Sequence, residues 1–237
     1  MMKWLAVIAR RERVAVAAAG VSAGGALVFA SVAHAVSERD TRSFDEAVLN
    51  ALHPYADRAQ AIGPWWLDRV ALDLTSLGST AVLTLIAALV AGFLILRRRW
   101  LDTALLLGAL GGALLLSEGL KGVFARDRPP AIYRSFEVLN ASFPSGHALL
   151  SAVLYPTLAA MLAGVLGAPG ARVYVLAVGA VLAVIVGATR VYLGAHWATD
   201  VVGGWCVGAA WAALCWLAAR ALRARLIPSP ETPIPRG

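Results

Sequence analysis

This sequence predicts an all-α fold: a polytopic membrane bundle of about six transmembrane helices with an amphipathic segment on its outer face. Three observations carry that reading. The chain of 237 residues is 59% hydrophobic and only 15% charged, with a mean hydropathy of +0.72, which leaves too little polar surface to cover a water-soluble globule. Six apolar stretches, at about 14–36, 79–96, 101–123, 148–166, 172–189 and 201–219, each approach the ~20 residues that a membrane-crossing helix needs. Most arginines stand in short groups beside those stretches, where topology signals are expected. Residues 1–227 therefore form one integral membrane domain, and the proline-rich residues 228–237 a disordered tail.

Each element has its own signal. Arg10, Arg11 and Arg13 precede an apolar run from Val14 to Val32 that ends at Ala33-His34-Ala35. A cleaved secretory signal has that layout, but the run is longer than a usual signal core, so an uncleaved first span is expected, with His34 at the interface. The connection at about 37–78 is the longest polar one, and a structureless loop of that length is unusual. Ser43 with Glu46 three residues on forms a capping box, and Phe44, Val48, Leu52 and Tyr55 recur at about helical spacing. Trp65 and Trp66 after Gly63-Pro64 suit an interfacial aromatic belt. The segment is expected to lie as an amphipathic cap on the outer leaflet, a plain packed loop being the alternative. Pro156 should kink the fourth span. Cys206 and Cys215, nine apart on the sixth, are too distant to bridge each other and read as packing residues.

Orientation follows from the basic residues. With a cytoplasmic N-terminus, six spans place Lys3, Arg10, Arg11, Arg13, Arg97, Arg98, Arg99, Arg172, Arg220, Arg223, Arg225 and Arg236 inside, twelve of the 21. Lys121, Arg128 and Arg190, among the outer nine, belong to polar clusters with another reason to be there, which leaves twelve against six and supports this orientation. The net charge of +7 is thereby explained without nucleic acid, for which no binding motif is present; the partners this composition implies are membrane lipids.

The three polar clusters all fall on the outer side. Lys121 closes the third span and Arg128-Pro129 follows, where the helix should have ended. Two cations can then face one pocket, although snorkelling at a helix end would explain them too. Arg126, Asp127 and Arg134 nearby are more ambiguous, with Asp127 suited to screening the local positive charge. Pro144-Ser145-Gly146-His147 opens the fourth span: Ser145 near the N-cap and Gly146 beside it make a ready anion site, and His147 projects from the first turn. A capped helix start with a surface histidine is the plain alternative. Thr189-Arg190, His196 and Asp200 bring a cation, an imidazole and a carboxylate together at the end of the fifth span and the start of the sixth. With Asp200 one helical turn after His196, the carboxylate can fix the tautomer and free the other ring nitrogen to attack, where a simple helix-end ion pair is the bland reading.

Lys121, six residues, Arg128-Pro129; Pro144-Ser145-Gly146-His147; and Thr189-Arg190, five residues, His196, three residues, Asp200 together resemble the type 2 phosphatidic acid phosphatase family, which shares its site with vanadium haloperoxidases. Thr75-Ser76-Leu77-Gly78-Ser79 resembles the stretch that opens the second span in these proteins. Thr189 departs from the pattern, since the family usually has Ser there; altered packing around the phosphate is expected rather than lost activity. The resemblance implies that Lys121, Arg128 and Arg190 bind phosphoryl oxygens with Ser145 and the Gly146 backbone. It also implies that His196 attacks phosphorus, that Asp200 orients it, and that His147 protonates the leaving oxygen, through a phosphohistidine that water hydrolyses. Three cations and a helix terminus can neutralise the equatorial oxygens without a metal, and no constellation suggests a dedicated metal site or a cofactor. The implied enzyme is a lipid phosphatase acting on a monoester or diphosphate of the undecaprenyl diphosphate, phosphatidylglycerophosphate, phosphatidic acid or lipid A phosphate class. It would lie in a bacterial inner or plasma membrane with its site on the periplasmic or extracellular side.

Charged residues within spans also line transport pathways, so a transporter or channel is the competing class. Glu118, three residues before Lys121, is its best residue, although a pair with Lys121 explains it more simply. Against it, the charges gather at one depth with no paired broken segments at the midplane. A haloperoxidase is disfavoured by the membrane-embedded chain.

Overall fold

Apolar side chains crowd every long helix of this chain, and in lipid a helix is one of the few ways to satisfy the backbone internally. The structure, a computed structural model, describes the backbone of residues 2–133 and 140–226 and the side chains of residues 12–133 and 140–225; the expected tail and Arg134 lie outside these. The order is α1 Met2–Ser37, α2 Arg42–Leu52, α3 Trp65–Ser76, α4 Thr80–Leu96, α5 Trp100–Phe124, a 3₁₀ turn at Ala131–Tyr133, α6 Gly146–Val165, α7 Pro169–Tyr192 and α8 Ala198–Leu226. No strand occurs among the described residues, in keeping with the all-α expectation.

Among the described residues, five helices are long and apolar enough to cross a membrane. The sixth expected span differs in shape: α4 alone has 17 residues and qualifies only together with α3, from which it is bent by 47°. The bend falls at Leu77-Gly78-Ser79, where a Cβ on Gly78 would clash with Val186 and come within 3.2 Å of the His147 ring. The Ser79 side chain accepts from the Val82 N–H to start α4.

The segment between the first two spans holds two helices rather than a plain loop, and its details correct two expectations. No capping box forms at Ser43: α2 starts at Arg42, and Glu46 pairs with the exposed Arg42 at 2.8 Å instead. The face turned inward carries Asp45, Leu49 and His53, while Phe44 and Tyr55 are exposed. A buried carboxylate overrides the apolar stripe because its partners, described below, lie inside.

The core is built by α4, α5, α6, α7 and α8 around Leu83, Leu106, Leu149, Val153 and Val186. Helix α6, which runs continuously through Pro156, packs on both α7 and α8, and α8 also packs along α1. Close contact of α6 with α8 depends on glycine: a Cβ on Gly204 would meet the Ser145 carbonyl at 2.7 Å, and one on Gly208 the Leu149 carbonyl at 2.6 Å. Phe143, fully buried, stacks on Phe29 of α1 and meets Phe124 of α5 edge-on, which anchors the chain entering α6. Cys206 and Cys215 are unbridged. At the opposite end of the bundle from α6's N-terminus lies a largely apolar cavity of ≈ 590 Å³ between α1, α5, α6 and α8, with Arg99, Asp102 and Arg223 on its wall.

Candidate active site

Four helix ends meet at one end of the bundle: the C-termini of α5 and α7 and the N-termini of α6 and α8. The α6 and α8 starts are tied by the Ser145 N–H, which donates to the Asp200 carbonyl at 3.0 Å. The three sequence clusters, far apart in the chain, therefore converge.

His196 is fully buried and its two ring nitrogens have different neighbours. Nδ1 lies 3.3 Å from Oδ2 of Asp200, and Nε2 lies 2.9 Å from Nη1 of Arg128. Guanidinium nitrogens only donate and a carboxylate oxygen only accepts. Nδ1 therefore carries the proton and Nε2 presents a lone pair toward the arginine. Asp200 is fixed in turn by the Trp197 N–H, 2.9 Å from the same Oδ2. Burial pushes the His196 ring down from the ordinary 6.5 to about 4; Asp200 opposes that shift, while Arg128 and Arg190 add to it. The ring is neutral at neutral pH, as a nucleophile requires.

The expected anion ligands lie at the same helix ends, Arg128 directly against this nitrogen. Arg128 is held in place by Ala195 O at 2.8 Å and by Asn140, whose carbonyl and side-chain oxygens accept at 2.8 and 2.6 Å. Arg190, buried at the end of α7, reaches the Thr75 hydroxyl at 3.2 Å, so the stretch before α4 borders the site. Lys121 pairs with Glu118 at 2.8 Å, and its ammonium stands beside the start of α6, 3.4 Å from where a Cβ on Gly146 would lie. Ser145 is the N-cap residue of α6 but makes no side-chain cap bond; among the described residues its buried hydroxyl has no hydrogen-bond partner, which suits it to a ligand. His147 lies in the first turn of α6, within electrostatic range of Arg190, His196, Lys121 and Arg128. Thr189 donates its hydroxyl to the Val186 carbonyl at 2.7 Å and so is engaged within its own helix. Among the described residues no group of three or more His, Cys, Asp or Glu could hold a metal ion.

Two features went beyond what the sequence pattern suggested. Arg126, ambiguous by sequence, turns inward and donates to Asp200 Oδ1 at 2.6 Å and to Asp45 Oδ2 at 2.7 Å. Asp127, expected as a charge screen, contributes its carbonyl, which accepts from Trp197 Nε1 and from the Ser142 hydroxyl. The spacing Arg126-x-Arg128 was the available signal for Arg126; Asp45 offered none, being 81 residues away.

A polytopic helical membrane protein, with cations and a helix start converging on a carboxylate-oriented imidazole, defines the class: a membrane enzyme built to act on an anionic group. Known proteins agree. The PAP2 superfamily model matches residues 102–224. Phosphatidylglycerophosphatase B of Bacillus subtilis (strain 168) is 36% identical over 189 residues, 77% of this chain and 86% of that protein. An undecaprenyl-diphosphatase of Sulfolobus acidocaldarius is 35% identical over 101 residues, covering 40% and 45% of the two chains. Among solved structures, a transmembrane PAP2-type phosphatidylglycerolphosphate phosphatase from Bacillus subtilis superposes with a TM-score of 0.76 at 30% identity, over 88% of this chain and 98% of that one. Aquifex aeolicus LpxE shares the fold at 22% identity, with a TM-score of 0.54 over 74% of this chain and 93% of that one. This chain belongs to the PAP2 superfamily. It is an integral membrane phosphatase, and the transport reading finds no support.

Proposed function

We propose that the protein hydrolyses a lipid phosphomonoester or diphosphate at the outer face of a bacterial inner or plasma membrane, through a phosphohistidine on His196. The observation that carries this is the His196 geometry: Nδ1 turned to Asp200 and Nε2 facing Arg128. In the free enzyme Arg128 lies beside Nε2. A phosphoryl group drawn in by Arg128, Arg190 and Lys121, with Ser145 and the Gly146 backbone on its oxygens, comes against the same nitrogen.

Nε2 attacks phosphorus and the bond from phosphorus to the leaving oxygen breaks, with charge spread over equatorial oxygens that the three cations hold. His147 donates a proton to that oxygen, which departs as a lipid alcohol or a lipid monophosphate. Water then attacks the phosphohistidine while His147 takes its proton, and inorganic phosphate leaves with His196 restored. Asp200 keeps the proton on Nδ1 throughout and stabilises the ring as it gains positive charge. No step calls for a metal.

Substrate choice is the finer question. The relatives are named for phosphatidylglycerophosphate and undecaprenyl diphosphate, and a head-group pocket at a helix-bundle end leaves the lipid tail among the helices. Phosphate release by purified protein in detergent, compared across phosphatidylglycerophosphate, phosphatidic acid, undecaprenyl diphosphate and a lipid A phosphate, ranks these by kcat/KM. Vanadate should inhibit and EDTA should not. Loss of activity in EDTA that magnesium restores, or turnover by His196→Ala at the wild-type rate, contradicts the mechanism.

A further inference from the structure

We propose that Asp45, on the α2 helix outside the family-matched region, is a positioning residue for the catalytic pair, acting through Arg126 to fix the carboxylate of Asp200 against His196. The inference rests on the phosphohistidine reading above.

The contacts form a continuous chain. Both oxygens of Asp200 are occupied: Oδ2 by His196 Nδ1 and the Trp197 N–H, Oδ1 by Arg126 Nη1 at 2.6 Å. The carboxylate cannot rotate off the ring unless Arg126 lets go. Arg126 is itself gripped by α2, its Nη2 donating to Asp45 Oδ2 at 2.7 Å and to the Thr41 hydroxyl at 3.1 Å. Its Nη1 also donates to Thr199 Oγ1 at 2.9 Å. Asp45 closes the ring by accepting from both the Thr199 N–H at 3.0 Å and the Thr199 hydroxyl at 2.6 Å, so it caps the first turn of α8 from another helix. Asp45 and Asp200 are 1% and 0% exposed.

Two details argue that this is more than a fortuitous ion pair. Ala125, the residue before Arg126, sits at φ 43° in the left-handed region, which an L side chain disfavours; the chain leaves α5 by that turn and so aims Arg126 inward. The guanidinium also bridges two buried carboxylates, and removing it would leave both without their shared cation. An Arg fork matches this geometry where a Lys point charge does not.

The charges that bear on His196 are Asp200 from α8, Arg128 from the segment after α5, Arg190 from α7 and His147 from α6, with Arg126 and Asp45 behind Asp200. Arg126 draws charge away from Asp200, so its loss strengthens the carboxylate's hold on the imidazolium and raises the pH at which His196 protonates. Loss of Asp45 concentrates Arg126 on Asp200 and lowers that pH. In full-length protein in detergent, with kcat, KM and the acid limb of kcat/KM measured on one lipid phosphate, R126M should lose about 10- to 100-fold in kcat, the range for groups supporting a functional histidine. KM should stay within about threefold, and the limb should move to higher pH. D45N should also lose kcat but move the limb to lower pH. R126K, which keeps the charge without the fork, should leave the limb near its wild-type position with kcat still reduced.

Shifts of opposite sign support the relay, because general loosening of the fold has no reason to produce them. Unmoved limbs and wild-type kcat in folded R126M and D45N overturn it, as do shifts of the same sign. If R126M does not fold, isosteric D45N decides: a limb moved to lower pH supports the relay, and an unmoved limb overturns it. A wild-type protein that releases no phosphate from any lipid phosphate overturns the phosphatase reading and the relay with it, whereas active wild type with unaltered variants overturns the relay alone.

Discussion

At the scale of single residues, the protonation of His196 decides the pH behaviour. Its folded value of about 4 lies below the ordinary 6.5, so as pH falls the unfolded chain takes up this proton first. The stability tied to the group is intact above about 6.5 and is lost between there and about 4. The same displacement predicts that the acid limb of kcat/KM set by His196 lies near 4, once the substrate's own ionisation is subtracted; a limb near 6.5 would mean a solvated ring. D200N tests the tautomer. An amide that offers its N–H to Nδ1 favours the wrong form, and by analogy with other oriented histidines kcat should drop by about 10⁴-fold, with KM little changed. His196 and Asp200 were legible from sequence because one helical turn is a local fact, and Arg128 because it stands beside a helix-breaking proline. Asp45 was not legible: its partners Arg126 and Thr199 lie 81 and 154 residues away, and nothing in its own neighbourhood distinguishes it from Glu46.

At the scale of helices, the spans were readable because length and apolar content are one-dimensional properties, whereas the α3–α4 bend and the inward face of α2 depend on what lies opposite. Glycines divide along the same line. Gly204 and Gly92 look alike in sequence, yet a Cβ on Gly204 meets a backbone carbonyl and the Ala148 Cβ at 2.9 Å, while one on Gly92 meets nothing within 4 Å. Gly204→Ala must push α8 off the start of α6, at about 1–3 kcal/mol for overpacking. Since the carbonyl it strikes belongs to Ser145, phosphate affinity should weaken along with the melting temperature. Gly92→Ala should instead raise stability by up to about 1 kcal/mol through helix propensity. Thermal unfolding in one detergent, paired with vanadate inhibition constants, separates the two; equal effects would show that the α6–α8 contact is looser than it looks.

Across the whole molecule, sidedness links the charge pattern to the chemistry. The helix ends of the proposed site, α2 and the 3₁₀ turn share one end of the bundle, and the Arg97–Arg99 group and the C-terminal arginines of α8 share the other. Large apolar side chains between them, among them Leu85, Leu89, Phe93, Leu115 and Val181, are exposed, as a surface facing hydrocarbon must be. Under the proposed orientation, with the arginine groups retained on the cytoplasmic side, the site would face outside, where a polar head group is reachable without crossing the bilayer. Cysteine accessibility tests this in intact cells with Cys206 and Cys215 replaced by alanine. Gln60→Cys, exposed in the connection between α2 and α3, should react with a membrane-impermeant maleimide added outside. Ala168→Cys, exposed between α6 and α7, should react only after permeabilisation. The reverse pattern would turn the molecule over and require a cytoplasmic-leaflet substrate, even though every distance within the site would stay the same.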